Sequence, residues 1–225
     1  IDNLSLQEFD SEAELIPLLT PEDEEEMNNE DLPDTLPILP LRNMVLFPGV
    51  VIPITAGRDK SINLINDAYA AGKIIGVVAQ KNEEVEDPTK NDIHNIGTVA
   101  RILRVLKMPD GNVTVILQGK KRFKIESVVS ETPYFTANIK DVAEKRPTKK
   151  DTEFLAILDS VRELAIQIIK ENPNIPSEAT FAIKNIESQS FLINFVTSNM
   201  SLSVEEKQNL LSINSLKDRA LETLR

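Results

Sequence analysis

Four prolines interrupt the most apolar stretch of this chain, and they limit what it can fold into. Leu36–Leu41, Met44–Phe47 and Val50–Ile54 are leucine-rich or β-branched runs, broken by Pro37, Pro40, Pro48 and Pro53. A proline inside a helix removes a donor and clashes with the preceding turn, and inside a central strand it removes a ladder bond. The segment therefore reads as edge strands, bulges and bends. It also holds more hydrophobic side chains than a period-2 pattern buries easily. Such a surplus is either core, the ordinary fate of these residues, or a groove that takes extended polypeptide by edge pairing and side-chain pockets.

The remaining elements follow from turn chemistry and periodicity. Asp59 to Ala71 reads as a helix, with Ile62, Ile65 and Tyr69 along one face and Gly72 as its stop. Ile74–Gln80 is a continuous apolar strand, and residues 82–95 form a polar loop. Gly97–Lys107 and Val113–Gln118 flank Pro109-Asp110-Gly111-Asn112, a hairpin turn in which Pro presets φ and Gly accepts a left-handed conformation. Arg122–Val129 alternates, with Phe123, Ile125 and Val129 on one face, and Tyr134–Val142 does the same with Phe135, Ala137 and Ile139 inward. Half-buried antiparallel strands follow from that pattern. About six strands and one inserted helix thus cover residues 36–142.

Past the basic connector Glu144–Lys150 the period becomes helical. Phe154, Leu158, Val161, Ala165 and Ile168 form a stripe that Ile157 and Leu164 widen. Asn172-Pro173 ends that helix, and shorter ones are expected at about 178–186 and 189–198. Ser203-x-x-Glu206 is a capping-box signature, and Ser215-x-x-Asp218 opens a last helix with Leu216, Ala220 and Leu224 on one side. The expected fold class is α+β, with a β-rich subdomain over 36–146 and a helical bundle over 147–225. The last helix reaches Arg225 with its pattern still running and is expected to be truncated there. Opening on Ile1 rather than Met, the chain is expected to be processed or excised from something longer.

Charge singles out a third region. Of the 36 acidic residues 13 fall within residues 1–35, which contain no Lys or Arg, leaving 23 acidic against 25 basic side chains in the rest. Like charges at the density of Glu22-Asp23-Glu24-Glu25-Glu26 repel, and the apolar residues around them are too few to offset chain entropy. Residues 1–35 are therefore expected to be a flexible acidic arm. Its short stretches Leu4–Phe9 and Leu15–Leu19 are the parts able to stick to something, a neighbouring copy included.

The residue inventory excludes much chemistry. Without cysteine there are no disulfides, thiolate metal sites or cysteine nucleophiles. A single histidine, His94, forbids a multi-histidine metal site and stands in a polar loop without triad partners. No phosphate loop is present: Gly72-Lys73 lacks the preceding glycine, and Gly119-Lys120 is followed by Lys121 and Arg122. No run of 18 apolar residues occurs, so no membrane span is expected. Lys120, Lys121, Arg122 and Lys124 form one basic cluster, and Lys145, Arg146, Lys149 and Lys150 form another. Such clusters can meet phosphates. A body near neutrality, 4% aromatic content and a competing acidic arm argue against nucleic acid as the partner.

Several motifs in order carry a resemblance. Pro37-Ile38-Leu39-Pro40-Leu41-Arg42-Asn43-Met44-Val45-Leu46-Phe47-Pro48, followed by Ile52-Pro53-Ile54, resembles the opening signature of the Lon protease amino-terminal domain. The likeness continues through Gly57-Arg58-Asp59-Lys60-Ser61, Val78-Ala79-Gln80-Lys81, Gly97-Thr98-Val99-Ala100 and Lys107-Met108-Pro109-Asp110-Gly111. It runs on through Gln118-Gly119 with Arg122, then Glu205-Glu206-Lys207-Gln208 with Leu210-Leu211, and Arg219 ahead of Leu224. It covers 36–225 and leaves out the acidic arm.

The resemblance implies a PUA-like β-rich subdomain followed by a helical bundle. It implies a cytoplasmic, ring-shaped hexamer in which an AAA+ module using ATP and Mg2+ and a Ser–Lys peptidase domain lie outside these residues. The role it implies for this chain is capture of unfolded, damaged or tagged polypeptides for an ATP-dependent serine protease, with no cofactor, metal or catalytic residue of its own. Candidate contacts are Met44, Leu46, Phe47 and Val50, with Arg58 and Lys60 offering charge beside them. Residues 58–61 are equally an ordinary helix entry. Two alternatives stand beside this reading: a stand-alone binding module of the same fold without a protease, and an RNA-binding PUA-like protein.

Overall fold

Within the acidic run the computed structural model, which describes residues 19–171 and 179–225, is helical. α1 (Pro21–Asn29) is started by a capping box, the Thr20 side chain accepting from the Asp23 N–H while the Asp23 carboxylate accepts from Thr20. Pro21 supplies a helical φ at the first position, and Glu22, Asp23 and Glu24 suit the positive end of the helix dipole. Charge repulsion, the ground for expecting a flexible arm here, is offset by pairing: Glu24 meets Arg146, and Glu30 meets Lys120 and Arg101. Leu19 is buried in the body. Leu4–Phe9, the first residues of Leu15–Leu19, and the Asn172-Pro173 helix end lie outside the described residues.

The proline-broken run becomes β1 (Thr35–Leu41) and β2 (Val51–Ala56), with residues 42–50 as the loop between them. α2 (Asp59–Ala70) then leads to β3 (Ile74–Ala79), β4 (Ile96–Lys107), β5 (Val113–Ser130) and β6 (Thr136–Asp141). The strand order is β2-β5-β4-β3-β1-β6, and a further β5–β6 pairing brings the last strand of the sheet back onto β5. β5 is one 18-residue strand where the sequence reads two, because its pairing passes from β2 and β4 to β4 and β6 without a turn. One pairing departs from the antiparallel expectation: β1 runs parallel to β3, as the intervening α2 returns the chain to the same end of the sheet. The β4–β5 hairpin turns where expected, with Gly111 at φ +89.

Five helices follow among the described residues: α3 (Thr152–Glu171), α4 (Ala179–Lys184), α5 (Gln189–Asn199), α6 (Val204–Ser212) and α7 (Leu216–Thr223). Phe154, Ile157, Leu158, Val161 and Ala165 of α3 are buried as the stripe requires, with Ile169 rather than Ile168 closing it. Both capping signatures are realised, Ser203 with Glu206 and Ser215 with the Asp218 N–H.

Sheet and helices share one hydrophobic core, which runs from Leu39, Phe47 and Leu117 to Phe154, Leu192 and Ala220. Two buried arginines seal the joint. Arg122 of β5 donates to the carbonyls of Leu211 and Ile213 and to Asn214, at 2.9, 3.0 and 3.2 Å. Arg219 of α7, 0% exposed, donates to Asn194 and Glu144 at 2.7 and 3.0 Å, and Asn194 in turn donates to the Pro48 carbonyl. Burial pushes the Arg122 guanidinium down to about 10, with Arg219 beside it adding to the effect.

Candidate functional site

The prolines of β1 leave an edge open. The Leu41 carbonyl accepts from Gln80 on the β3 side, and the Ile38 N–H donates to Phe135 on the β6 side. Alternation along a strand then directs Pro40 away from β3, beyond the end of the β1–β6 pairing at Pro37↔Thr136. Because proline has no N–H, this edge costs no orphaned donor there. Two cavities open along it. One, of about 550 Å³, is floored by Leu39, Leu64 and Phe135 and walled by Arg58, Lys60 and Asp87. The other, of about 700 Å³, lies between Met44 and the Pro53–Arg58 segment. Leu39, Pro40, Arg42, Arg58 and Ser61 line both, so the two form one groove with an apolar floor and a rim of mixed charge, in which Arg42, Arg58 and Lys60 stand among Asp59, Glu83, Glu86 and Asp87.

Arg58 occupies the N-cap position of α2 without capping it by its side chain. Its guanidinium donates instead to Gln80 Oε1 at 2.5 Å. Gln80, 1% exposed, is held by its own amide, which donates to the carbonyls of Asn82 and Val85 at 3.2 and 3.0 Å. Burial lowers the Arg58 pKa, Arg42 lowers it further, and Asp87 and Glu86 oppose both. Lys60 pairs with Asp87 at 2.8 Å on the exposed lip. Arg42 is exposed and makes no hydrogen bond or ion pair among the described residues. The rim therefore offers one uncommitted guanidinium, one aimed guanidinium and an uncapped helix N-terminus. Together these suit a carboxylate, while the floor suits an apolar side chain.

Three of the six residues expected to touch polypeptide line this groove: Met44, Arg58 and Lys60. The other three do not. Leu46, Phe47 and Val50 are 2%, 0% and 6% exposed and belong to the core. Their loop is stitched across the sheet: Thr98 donates to the Leu46 carbonyl at 2.6 Å, Gly49 N–H to Gly119, and Gly119 N–H to Val50. A Cβ at Gly119 would fall 2.3 Å from the Phe47 carbonyl, so only glycine admits the loop this closely. Arg42, Gln80 and Asp87 were not among the expected contacts; Arg42 and Gln80 stand in motifs of the resemblance, and nothing in the sequence points to Asp87.

Three members of the first basic cluster are consumed internally, and Lys124 stays exposed. Lys120 and Lys121 are each 9% exposed and reach Glu30 and Asp141, while Arg122 is in the joint between sheet and helices. His94 is half-buried, and that burial pushes its imidazole below 6.5.

The comparisons with known proteins bear on this frame. The family model described as the ATP-dependent protease La (LON) substrate-binding domain matches residues 35–225. The chain belongs to that family. It is 84% identical over 225 residues to the Lon protease of Flavobacterium johnsoniae, covering all of this chain and 28% of that one. The Lon protease of Cytophaga hutchinsonii is 49% identical over 208 residues, covering 92% of this chain and 26% of its own length. The solved amino-terminal domain of a Mycobacterium avium complex Lon protease superposes with a TM-score of 0.67 at 20% identity, over 84% of this chain and 96% of that one, which shows the shared fold. The chain thus spans little more than a quarter of its curated relatives. The part it matches is the substrate-binding domain, so proteolysis is said of the longer relatives and not of these residues. No helix among the described residues is long and apolar enough to cross a membrane.

Proposed function

We propose that this chain captures unfolded, damaged or tagged polypeptides and presents them to the ATP-dependent proteolytic part of a longer, cytoplasmic Lon-type protein. The groove beside β1 is the capture site. One observation carries this: an open strand edge, an apolar floor and two guanidiniums on a rim of mixed charge converge on Pro40, Arg42 and Arg58. An extended segment laid there would bury one or two apolar side chains, each contributing about 1.5–3 kcal/mol. Its backbone would run along the β1 edge, and an acidic side chain or terminal carboxylate would meet Arg42 and Arg58. A single groove of this kind binds weakly. Six copies in a ring would raise the apparent affinity by effective concentration rather than by new contacts. ATP and Mg2+ would serve the ATPase module of that longer protein.

Binding of a carboxymethylated, permanently unfolded polypeptide to the chain tests this. Met44→Ser with Arg58→Ala should weaken binding about a hundredfold or more while the far-ultraviolet dichroism is kept, the loss corresponding to one apolar contact and one charge-assisted bond of at least about 1.5 kcal/mol each. Unchanged affinity in the folded double variant would remove the groove from consideration. A steep fall in affinity with salt for an RNA oligomer, bound more tightly than the polypeptide, would favour the RNA reading instead.

A further inference from the structure

α1 lies on the molecule the way a bound ligand does. None of its nine residues is buried, and it reaches the body through a few groups: Leu19 and Met27 pack on the core, and Glu24 and Glu30 pair with Arg146, Lys120 and Arg101. The Lys121 ammonium donates to the Asn28 carbonyl at 3.3 Å, and Ser188 donates to Glu24. Space remains on both sides of the helix. A cavity of about 550 Å³ runs beneath it toward Pro48, Arg146 and Phe191, and another of about 750 Å³ opens between it and Arg101, Gln118 and Lys120.

The surface below α1 is a built groove. Arg101, Lys120, Lys121, Arg146 and Lys149 stand against Asp141 and Glu144, which leaves an excess of positive charge once the helix is set aside. Lys120 and Lys121, 9% exposed, place their cations in the floor, where burial lowers the Lys120 pKa and Glu26 opposes it. A cation in that position needs an anion across from it. The groove lies within the matched family segment, which begins at residue 35, while the helix that fills it precedes that segment.

We propose that this basic groove is a second polypeptide-binding site, selective for an acidic helical segment with an apolar residue near its amino end, and that α1 is its in-chain occupant and competitor. The occupant in trans has the chemistry α1 displays: a hydrophobic anchor in the Leu19 slot, then carboxylates at the places of Glu24 and Glu30, facing Arg146 and Lys120. The linker from Asn29 to Thr35 is short, so α1 competes at an effective concentration of roughly millimolar, and trans binding is strong only when α1 is loosened. This site shares no lining residue with the Arg42–Arg58 groove, and its failure would leave that one untouched.

The probe is a labelled synthetic peptide with the sequence of residues 19–31, and the control is a scrambled peptide of the same composition. In the full chain, Leu19→Ser with Glu24→Gln and Glu30→Gln loosens the resident helix. This variant should bind the probe at least about tenfold more tightly than the unaltered chain does, and Lys120→Glu added to it should abolish the gain. Equal binding of the scrambled peptide, or no gain over the unaltered chain, overturns the proposal. A second readout requires no variant. Millimolar probe added to the unaltered chain should accelerate amide exchange across residues 21–29 by trapping the open state, and exchange indifferent to the probe overturns the proposal equally.

Discussion

Replacing Phe47 with alanine separates two fates for the same hydrophobic run. The side chain is 0% exposed, and its loop is fixed by bonds to Thr98 and Gly119 on either side, so the site cannot easily collapse around the lost ring. A buried Phe→Ala change of this kind costs about 3–5 kcal/mol. For a chain of this length each kcal/mol lowers Tm by about 2–4 °C, so the melting point should fall by roughly 6–20 °C. Stabilities of about 5–15 kcal/mol leave a folded population at low temperature in which binding can be measured. Urea unfolding at low temperature reads the stability, and titration with the unfolded polypeptide reads the affinity of the folded fraction. The expected outcome is a large drop in the urea midpoint with affinity within twofold of the unaltered chain. Loss of affinity with destabilisation below about 1 kcal/mol would mean that Phe47 leaves the core to meet substrate, and the assignment of residues 44–50 would be wrong.

Two further outcomes follow from particular contacts. Gly119→Ala places a methyl against the Phe47 carbonyl, a backbone atom that cannot swing aside, and should cost about 1–3 kcal/mol in the urea midpoint; a neutral result would show that the loop shifts freely. Acid should act through the helix caps. The Ser203 hydroxyl and N–H hold the Glu206 carboxyl below 4.5, and the Phe154 N–H, with Lys217, holds that of Asp151 below 3.8. Both folded values are depressed, so the unfolded chain takes up protons first; the stability from these caps is complete above about pH 4.5 and is lost as pH falls through the folded values. Glu206→Gln with Asp151→Asn should flatten the fall of the urea midpoint between about pH 5 and pH 2, and an unchanged slope would refute the cap assignment.

What could be read from the sequence was local. Pro109-Asp110-Gly111-Asn112 placed the hairpin, Ser203-x-x-Glu206 and Ser215-x-x-Asp218 placed two helix starts, and the α3 stripe placed a buried face, because each is decided within a few residues by backbone geometry or periodicity. What escaped depends on partners distant in the chain. Thr20-Pro21 with Asp23 announces a helix start, but the five-residue acidic run argues against it until Arg146 and Lys120 are known to lie opposite. Lys120, Lys121 and Arg122 look like a solvated patch in sequence; the lysines are covered by α1 and Glu30, some 90 residues earlier, and the arginine by carbonyls at the end of α6, some 90 residues later. The groove was half legible for the same reason. Met44, Leu46, Phe47 and Val50 belong to one apolar run and differ only in which neighbours the sheet brings over them, whereas Arg58 and Lys60 came in as charge beside that run, within a motif of the resemblance.

The joint made by Arg122 and Arg219 sets how the molecule carries load. A tug on α7 is not taken up at a flexible hinge, because Arg219 is tied to Glu144 and Asn194, Asn194 to Pro48, and Lys145 to Asn214 and Leu216 by backbone bonds. Tension applied there passes through Pro48 into the strand that begins at Val51 and through Arg122 into β5, which pairs with β2, β4 and β6. The β1 groove, flanked by those strands, should then travel as one stiff lever with the last helix. A polypeptide gripped at Arg42 and Arg58 would be hauled or swung as a whole, with little slack between the point of grip and the point of pull.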